Sequence, residues 1–109
     1  MSDAVLVLST GPDDESTEAL ARTLVDEKLA ACVNVLPSMT SLYRWRGAVE
    51  QSRERQLIIK TTRSILPRLH ARLVELHSYE LPEFVVLDIA SGGSDYLAWI
   101  AHEVADTHQ

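Results

Sequence analysis

Apolar and polar positions change their period several times along the chain, and each change marks an element. Ala4-Val5-Leu6-Val7-Leu8 is an unbroken apolar run rich in β-formers, which predicts a buried strand. Thr10-Gly11-Pro12 is expected to break it. The spacing then becomes helical. Leu20, Ala21, Leu24 and Val25 form a narrow apolar stripe, Asp13 or Asp14 is placed to cap it, and Glu15 and Glu18 sit at the positive end of the dipole. That helix should end near Lys28. Alternation returns in Cys32-Val33-Asn34-Val35-Leu36, with Pro37 and Ser38 bending or bulging the strand. Extended character resumes in Ser41-Leu42-Tyr43-Arg44-Trp45, Gly47 marks a turn, and a third strand runs through residues 56–61. Two strands of this length around one turn make a hairpin arm that a small domain does not readily cover by itself.

The second half repeats the scheme. Ser64 is placed to cap a helix that tolerates Pro67 in its first turn, and Ile65, Leu69, Leu73 and Leu76 follow helical spacing toward the sheet. His77-Ser78-Tyr79-Glu80 ends it and Pro82 prevents its continuation. Phe84-Val85-Val86-Leu87 predicts a fourth, buried strand. After the Ser91-Gly92-Gly93-Ser94 loop, Ser94 or Asp95 starts a last helix bearing Tyr96, Leu97, Trp99, Ile100 and Val104, and residues 106–109 should fray. The order is βαββαβ plus a helix, an α+β chain of the split βαβ, ferredoxin-like kind in a single domain over residues 1–109. Two helices cover one face of such a sheet, and only the last helix is left for the other.

Composition narrows the functional classes. The chain has 109 residues, 46% of them hydrophobic and 24% charged, enough for one core without staples. Its single cysteine, Cys32, rules out an intrachain disulfide. The apolar run at residues 5–8 is too short for a signal sequence, and no stretch reaches the ~18–20 apolar residues of a membrane span. These features lead to an expectation of a cytoplasmic protein. A net charge of −6, with Glu54 interrupting the densest basic stretch at residues 53–55, argues against a nucleic-acid partner.

Candidate chemistry is sparse. There is no P-loop, no G-x-S-x-G elbow and no H-E-x-x-H pair, so no enzyme is expected. Cys32 could be a nucleophile or a soft-metal ligand, but between Ala31 and Val33 it is expected to pack as a small hydrophobe. His77 stands near Tyr79 and Glu80. Imidazole with carboxylate suits a borderline divalent metal, while a histidine at a helix C-terminus also suits the dipole. His70 and His102 read as solvated helix positions, and His108 falls in the tail. Lys60, inside an apolar strand, needs a partner or a path to solvent, and a lowered pKa there could make it a base. Trp45, near the hairpin tip, is poorly placed for a core and is expected at an interface, with Tyr43 beside it; Trp99 can serve an interface or its own sheet.

Taken in order, Ala31-Cys32-Val33-Asn34 with Pro37, Ser41-Leu42-Tyr43-Arg44-Trp45-Arg46-Gly47, Glu54, Ile59-Lys60-Thr61, His77-Ser78-Tyr79-Glu80-Leu81-Pro82 and Tyr96-Leu97-Ala98-Trp99-Ile100 resemble the CutA family of divalent-cation tolerance proteins. The resemblance runs from Val5 to about Val104. It implies a compact homotrimer whose hairpins extend neighbouring sheet edges, and a binding protein linked to divalent cations, copper especially. Copper-binding members carry a cysteine where Ser9 stands, a second histidine where Leu76 stands and a proline where Ser78 stands. A hydroxyl is a poor copper ligand and leucine none, so the resemblance implies a copper or other divalent ion bound weakly at His77, and the spacing of the residues themselves adds Glu80 as a second ligand. The alternative is a trimeric small-molecule sensor with Lys60, Tyr79 and Glu80 in a cleft between subunits.

Overall fold

The computed structural model describes residues 2–105, and in it every apolar run finds a place in one antiparallel sheet. Along the chain come β1 (Ala4–Pro12), α1 (Glu15–Asp26), β2 (Cys32–Trp45), β3 (Ala48–Thr62), a 3-10 turn (Arg63–Ile65), α2 (Leu66–Leu76), β4 (Val85–Asp88) and α3 (Ser94–Glu103). The strands lie in the order β2-β3-β1-β4, all antiparallel. The mixed α+β class is thus as expected. The fraying expected of residues 106–109, and His108 with them, lies outside the described residues. Among the described residues no helix is long and apolar enough to cross a membrane.

Local chemistry accounts for where the elements begin and end. β1 does not break at Thr10 but runs on to Pro12, pairing Gly11 with Arg55 and Pro12 with Glu54. β4 pairs only with residues 5–8 of β1, so on that side Pro12 has no ladder bond to lose. Gly11 lets the strand pass close to α1, because a Cβ there would lie 2.4 Å from Thr17 Oγ1. Asp14, of the two aspartates, caps α1 by accepting from the Ser16 N–H at 2.9 Å. Its buried stripe is Thr17, Leu20, Ala21 and Leu24, the i, i+3, i+4, i+7 set, which leaves Val25 outside. Ser64 does not cap α2. The 3-10 turn intervenes, and the Ser64 N–H donates to Asp3 Oδ2 instead. Leu76, the last helical residue, is exposed rather than turned to the sheet.

The arm is long because its pairing is nearly continuous, from Cys32 opposite Lys60 to Trp45 opposite Ala48. One register shift falls between Val35 and Ser38, where Pro37 has no N–H to give. Arg46 (φ 51°) and Gly47 (φ 84°) close it as a two-residue loop with both φ positive, the turn that matches strand twist.

Alternation along β3 divides the molecule. Leu57 and Ile59 face α1 and α2 and, with Val7, Leu24, Leu69 and Leu73, make the core. Gln56, Ile58 and Lys60 take the opposite face with Leu6 and Leu8. On that face Val85 and Leu87 are 46% and 42% exposed, so β4 is a half-open edge strand and not the buried one expected. α3 reaches this face near the end of β3, where the Tyr96 hydroxyl accepts from Lys60 Nζ at 3.2 Å.

Leu73 is fully buried while its neighbour Val74 is half exposed. Leu73→Ala should therefore cost about 2–5 kcal/mol in denaturant unfolding, and Val74→Ala about 0.5 kcal/mol or less. Equal losses would mean that α2 packs through a different face.

Candidate functional site

Downstream of α2 the chain has no regular structure until β4, yet it is pinned to the sheet by side chains. Leu81 and Pro82 exclude further helix, and His77 turns the backbone extended. The His77 imidazole does the anchoring. Its Nδ1 accepts the Tyr79 N–H at 3.1 Å, so the proton sits on Nε2, which donates to the Thr10 carbonyl at 2.6 Å. Further along, the buried Ser9 hydroxyl donates to the Glu83 carbonyl at 2.7 Å. The Gln56 amide donates to the Ser9 carbonyl at 2.6 Å and to Glu83 Oε2 at 3.2 Å. These bonds fix Tyr79 so that its hydroxyl donates to Glu54 Oε2 at 2.6 Å.

Glu54 is 8% exposed, a depth at which a carboxylate needs a partner. Burial first, and then the bond to Glu54, raise the Tyr79 phenol well above its usual range. Tyr79 therefore remains a donor throughout the physiological range. Above this pair opens a cleft of about 780 Å³, walled by the arm on one side and the 78–83 segment on the other. Tyr43 and Trp45 line it from the arm, and Tyr43 Oη shares a hydrogen bond with Ser52 Oγ at 2.8 Å. At the rim Arg46 pairs with Glu80 at 2.9 Å, with both side chains about 70% exposed, where an ion pair contributes little stability.

The residues expected from sequence separate into two places. Tyr79, Glu80, Tyr43 and Trp45 meet in the cleft, whereas Lys60 does not line it. Lys60 lies further along β3, and hydrogen bonding to Tyr96, outweighing burial, raises its pKa. That is opposite to the lowering a lysine base requires. Cys32, across the ladder from Lys60, is only partly buried and is not the core residue expected. Trp99 is 41% exposed and stacks at a tilt on Tyr96, their centroids 5.4 Å apart. His102 is exposed, as is His70, whose ring lies 4.2 Å from that of Phe84.

His77 and Glu80 are not joined around a common point. Both imidazole nitrogens are engaged, and the Glu80 carboxylate faces Arg46. Ser9 is committed to Glu83, and Leu76 brings no donor. Among the described residues no group of three or more His, Cys, Asp or Glu side chains is placed to hold a metal ion. As arranged, these residues do not fit a resident divalent ion, which would displace a hydrogen bond of His77. Glu54, Gln56 and Glu83 are the site residues that sequence reasoning missed. A usable signal was present, because Glu54 and Gln56 share the strand phase of Ile58 and Lys60 and so must emerge on the same face.

Known proteins agree with this frame. Residues 5–103 match the family model described as CutA1 divalent ion tolerance protein. The divalent-cation tolerance protein CutA of Thermus thermophilus is 46% identical over 95 residues, covering 87% of this chain and 92% of its own. The crystal structure of CutA from Xylella fastidiosa superposes with a TM-score of 0.90 at 45% identity, over 94% of this chain and 99% of that one. A structure described as the periplasmic divalent cation tolerance protein CutA of Archaeoglobus fulgidus gives 0.88 at 31% identity, over 93% and 98%. The family takes its name from tolerance and not from a reaction. With the match at residues 5–103 reaching each strand and helix of the described residues, the chain belongs to the CutA1 family of divalent ion tolerance proteins.

Proposed function

We propose that the chain is a homotrimeric, cytoplasmic response protein without a catalytic step, and that it responds to a small molecule held in the cleft beside the arm. The observation that carries this reading is Glu54, a carboxylate buried at the floor of an open cleft and held by a tyrosine that is itself fixed by His77. Enclosed polar groups of this kind orient ligands, and a site this size suits a small organic molecule. The ferredoxin-like reading of the fold rests on the strand order β2-β3-β1-β4. A trimer is supported by the half-open sheet face, where Val85, Leu87 and Tyr96 stay over 40% exposed, and by β2, a long unprotected edge. Closed cyclic symmetry would cover both and place Trp45, Tyr43 and Trp99 near neighbouring subunits. Cys32, a lone thiol, suits a reducing compartment.

A second reading has one specific support, the names of the relatives. Copper or another divalent ion, bound as cargo and weakly, would take His77 and Glu80 as ligands after His77 releases one of its hydrogen bonds.

Light scattering should report about three times the 12.1 kDa chain mass, and a clean monomer would refute the assembly. Trp45→Ala should weaken association by ~2 kcal/mol or more. In calorimetry with copper(II), wild type and His77→Ala should titrate alike on the small-molecule reading; binding lost with His77 would establish the metal reading instead. Tyr79→Phe strips Glu54 of its donor and should lower stability by about 1–3 kcal/mol, as read from unfolding midpoints. No change would mean that Glu54 is served by solvent.

A further inference from the structure

We infer that the cleft takes an organic cation, an ammonium or guanidinium group on a small apolar body, with Glu54 as its charge partner. This inference rests on the cleft being the ligand site, as proposed above, and specifies the class of ligand.

Charge in the cleft is one-sided. Its ionisable carboxylates are Glu54, Glu80 and Glu83, and among the described residues no lysine, arginine or histidine lines it. Among the described residues only Glu80 of the three meets a cation, Arg46 at the rim. Glu54 accepts from a phenol and Glu83 from an amide, both uncharged donors. An anionic ligand would be repelled, and a neutral one would leave the buried charge without a countercharge.

Glu54 also has capacity left over. Its bond from Tyr79 uses Oε2, while Oε1 has no hydrogen bond among the described residues. No buried side-chain oxygen or nitrogen is left both sealed and unpartnered among them, so Oε1 is not sealed off, and Glu54 lines the cleft. A carboxylate oxygen only accepts, so whatever meets it must donate.

The walls supply the remaining contact. Tyr43, Trp45 and Tyr79 are the aromatic side chains that line the cleft, Tyr79 at Glu54 itself and the other two further out along the arm. The chain itself already seats a cation in this manner: the Arg46 guanidinium lies 5.3 Å over the Trp45 ring while bonding Glu80. Aromatic face plus carboxylate is the pairing that recognises ammonium and guanidinium ions. An inorganic ion would need three or more ligands converging on one point, and no such group occurs among the described residues.

Calorimetry on the intact protein tests this with benzylamine and agmatine against the neutral benzyl alcohol and the anionic phenylacetate, and with magnesium as the inorganic control. The two amines should bind at least about tenfold more tightly than benzyl alcohol, the scale of one charge-assisted hydrogen bond. Glu54→Gln should remove that margin, and Glu83→Gln should reduce it. The glutamine can still accept from Tyr79, and unchanged unfolding midpoints would show that both variants are folded. If benzyl alcohol or phenylacetate binds as tightly as the amines, the cationic class is refuted while the cleft remains a ligand site. An amine margin that survives both variants places the charge partner elsewhere and refutes the inference. If no organic probe of any charge binds, the inference and the cleft reading fall together.

Discussion

A strand must send alternate side chains to opposite faces, and β3 is fifteen residues long when the helices cover only part of its length. Over residues 57–61 the odd positions enter the core and the even ones meet the half-open face. Nearer the turn neither face is covered, so the arm projects and the molecule extends 45 Å in one direction against 28 and 23 Å in the others. Glu54 sits at the transition. It is the first residue of β3, coming from the arm tip, that is buried, and it shares the face that α1 and α2 do not occupy. The cleft exists because an arm diverging from the sheet leaves an angle, and the 78–83 segment closes one side of it.

What keeps that segment in place is polar. Ser9, Gln56 and His77 tie a stretch without helix or strand to β1 and β3, mostly through its backbone or that of β1. No buried polar side-chain atom among the described residues goes unserved, the condition under which such a network rigidifies a site. Irregular segments commonly carry function when a rigid scaffold positions them, and here the scaffold is the far end of β1, which pairs with β3 but has run past β4. The continuation of β1 through Gly11 to Pro12 is therefore part of the site. Thr10 receives His77 there, and Ser9 holds Glu83.

Much of the fold was legible because it depends on short-range pattern. The apolar stripe of α1, the bulge at Pro37 and the Arg46-Gly47 turn each follow from residues within a few positions of one another. Where expectation and structure part, the cause is tertiary. β1 outlasts its expected break because β3 remains beside it, and β4 is half open because α3 leaves that face uncovered. The site was legible only in part for the same reason. Tyr79 and Glu80 stand out next to a histidine, but their partners lie 25 and 34 residues away in sequence, on the arm and its turn. Glu54, between two arginines, was read as an interruption of the basic stretch and not as a site residue. The strand phase it shares with Ile58 and Lys60 gives its face, but its burial depends on Tyr79, 25 residues away.

The histidine links the two functional readings more tightly than either does alone. A metal can take a lone pair from Nδ1 only by withdrawing it from the Tyr79 N–H. It can take Nε2 only by displacing the proton shared with Thr10. Both events loosen the segment that carries Tyr79 to Glu54, and so disturb the floor of the cleft. An ion at His77 and a ligand on Glu54 would therefore oppose one another. Linkage requires that opposition to be equal in both directions: the factor by which the ion weakens the ligand is the factor by which the ligand weakens the ion.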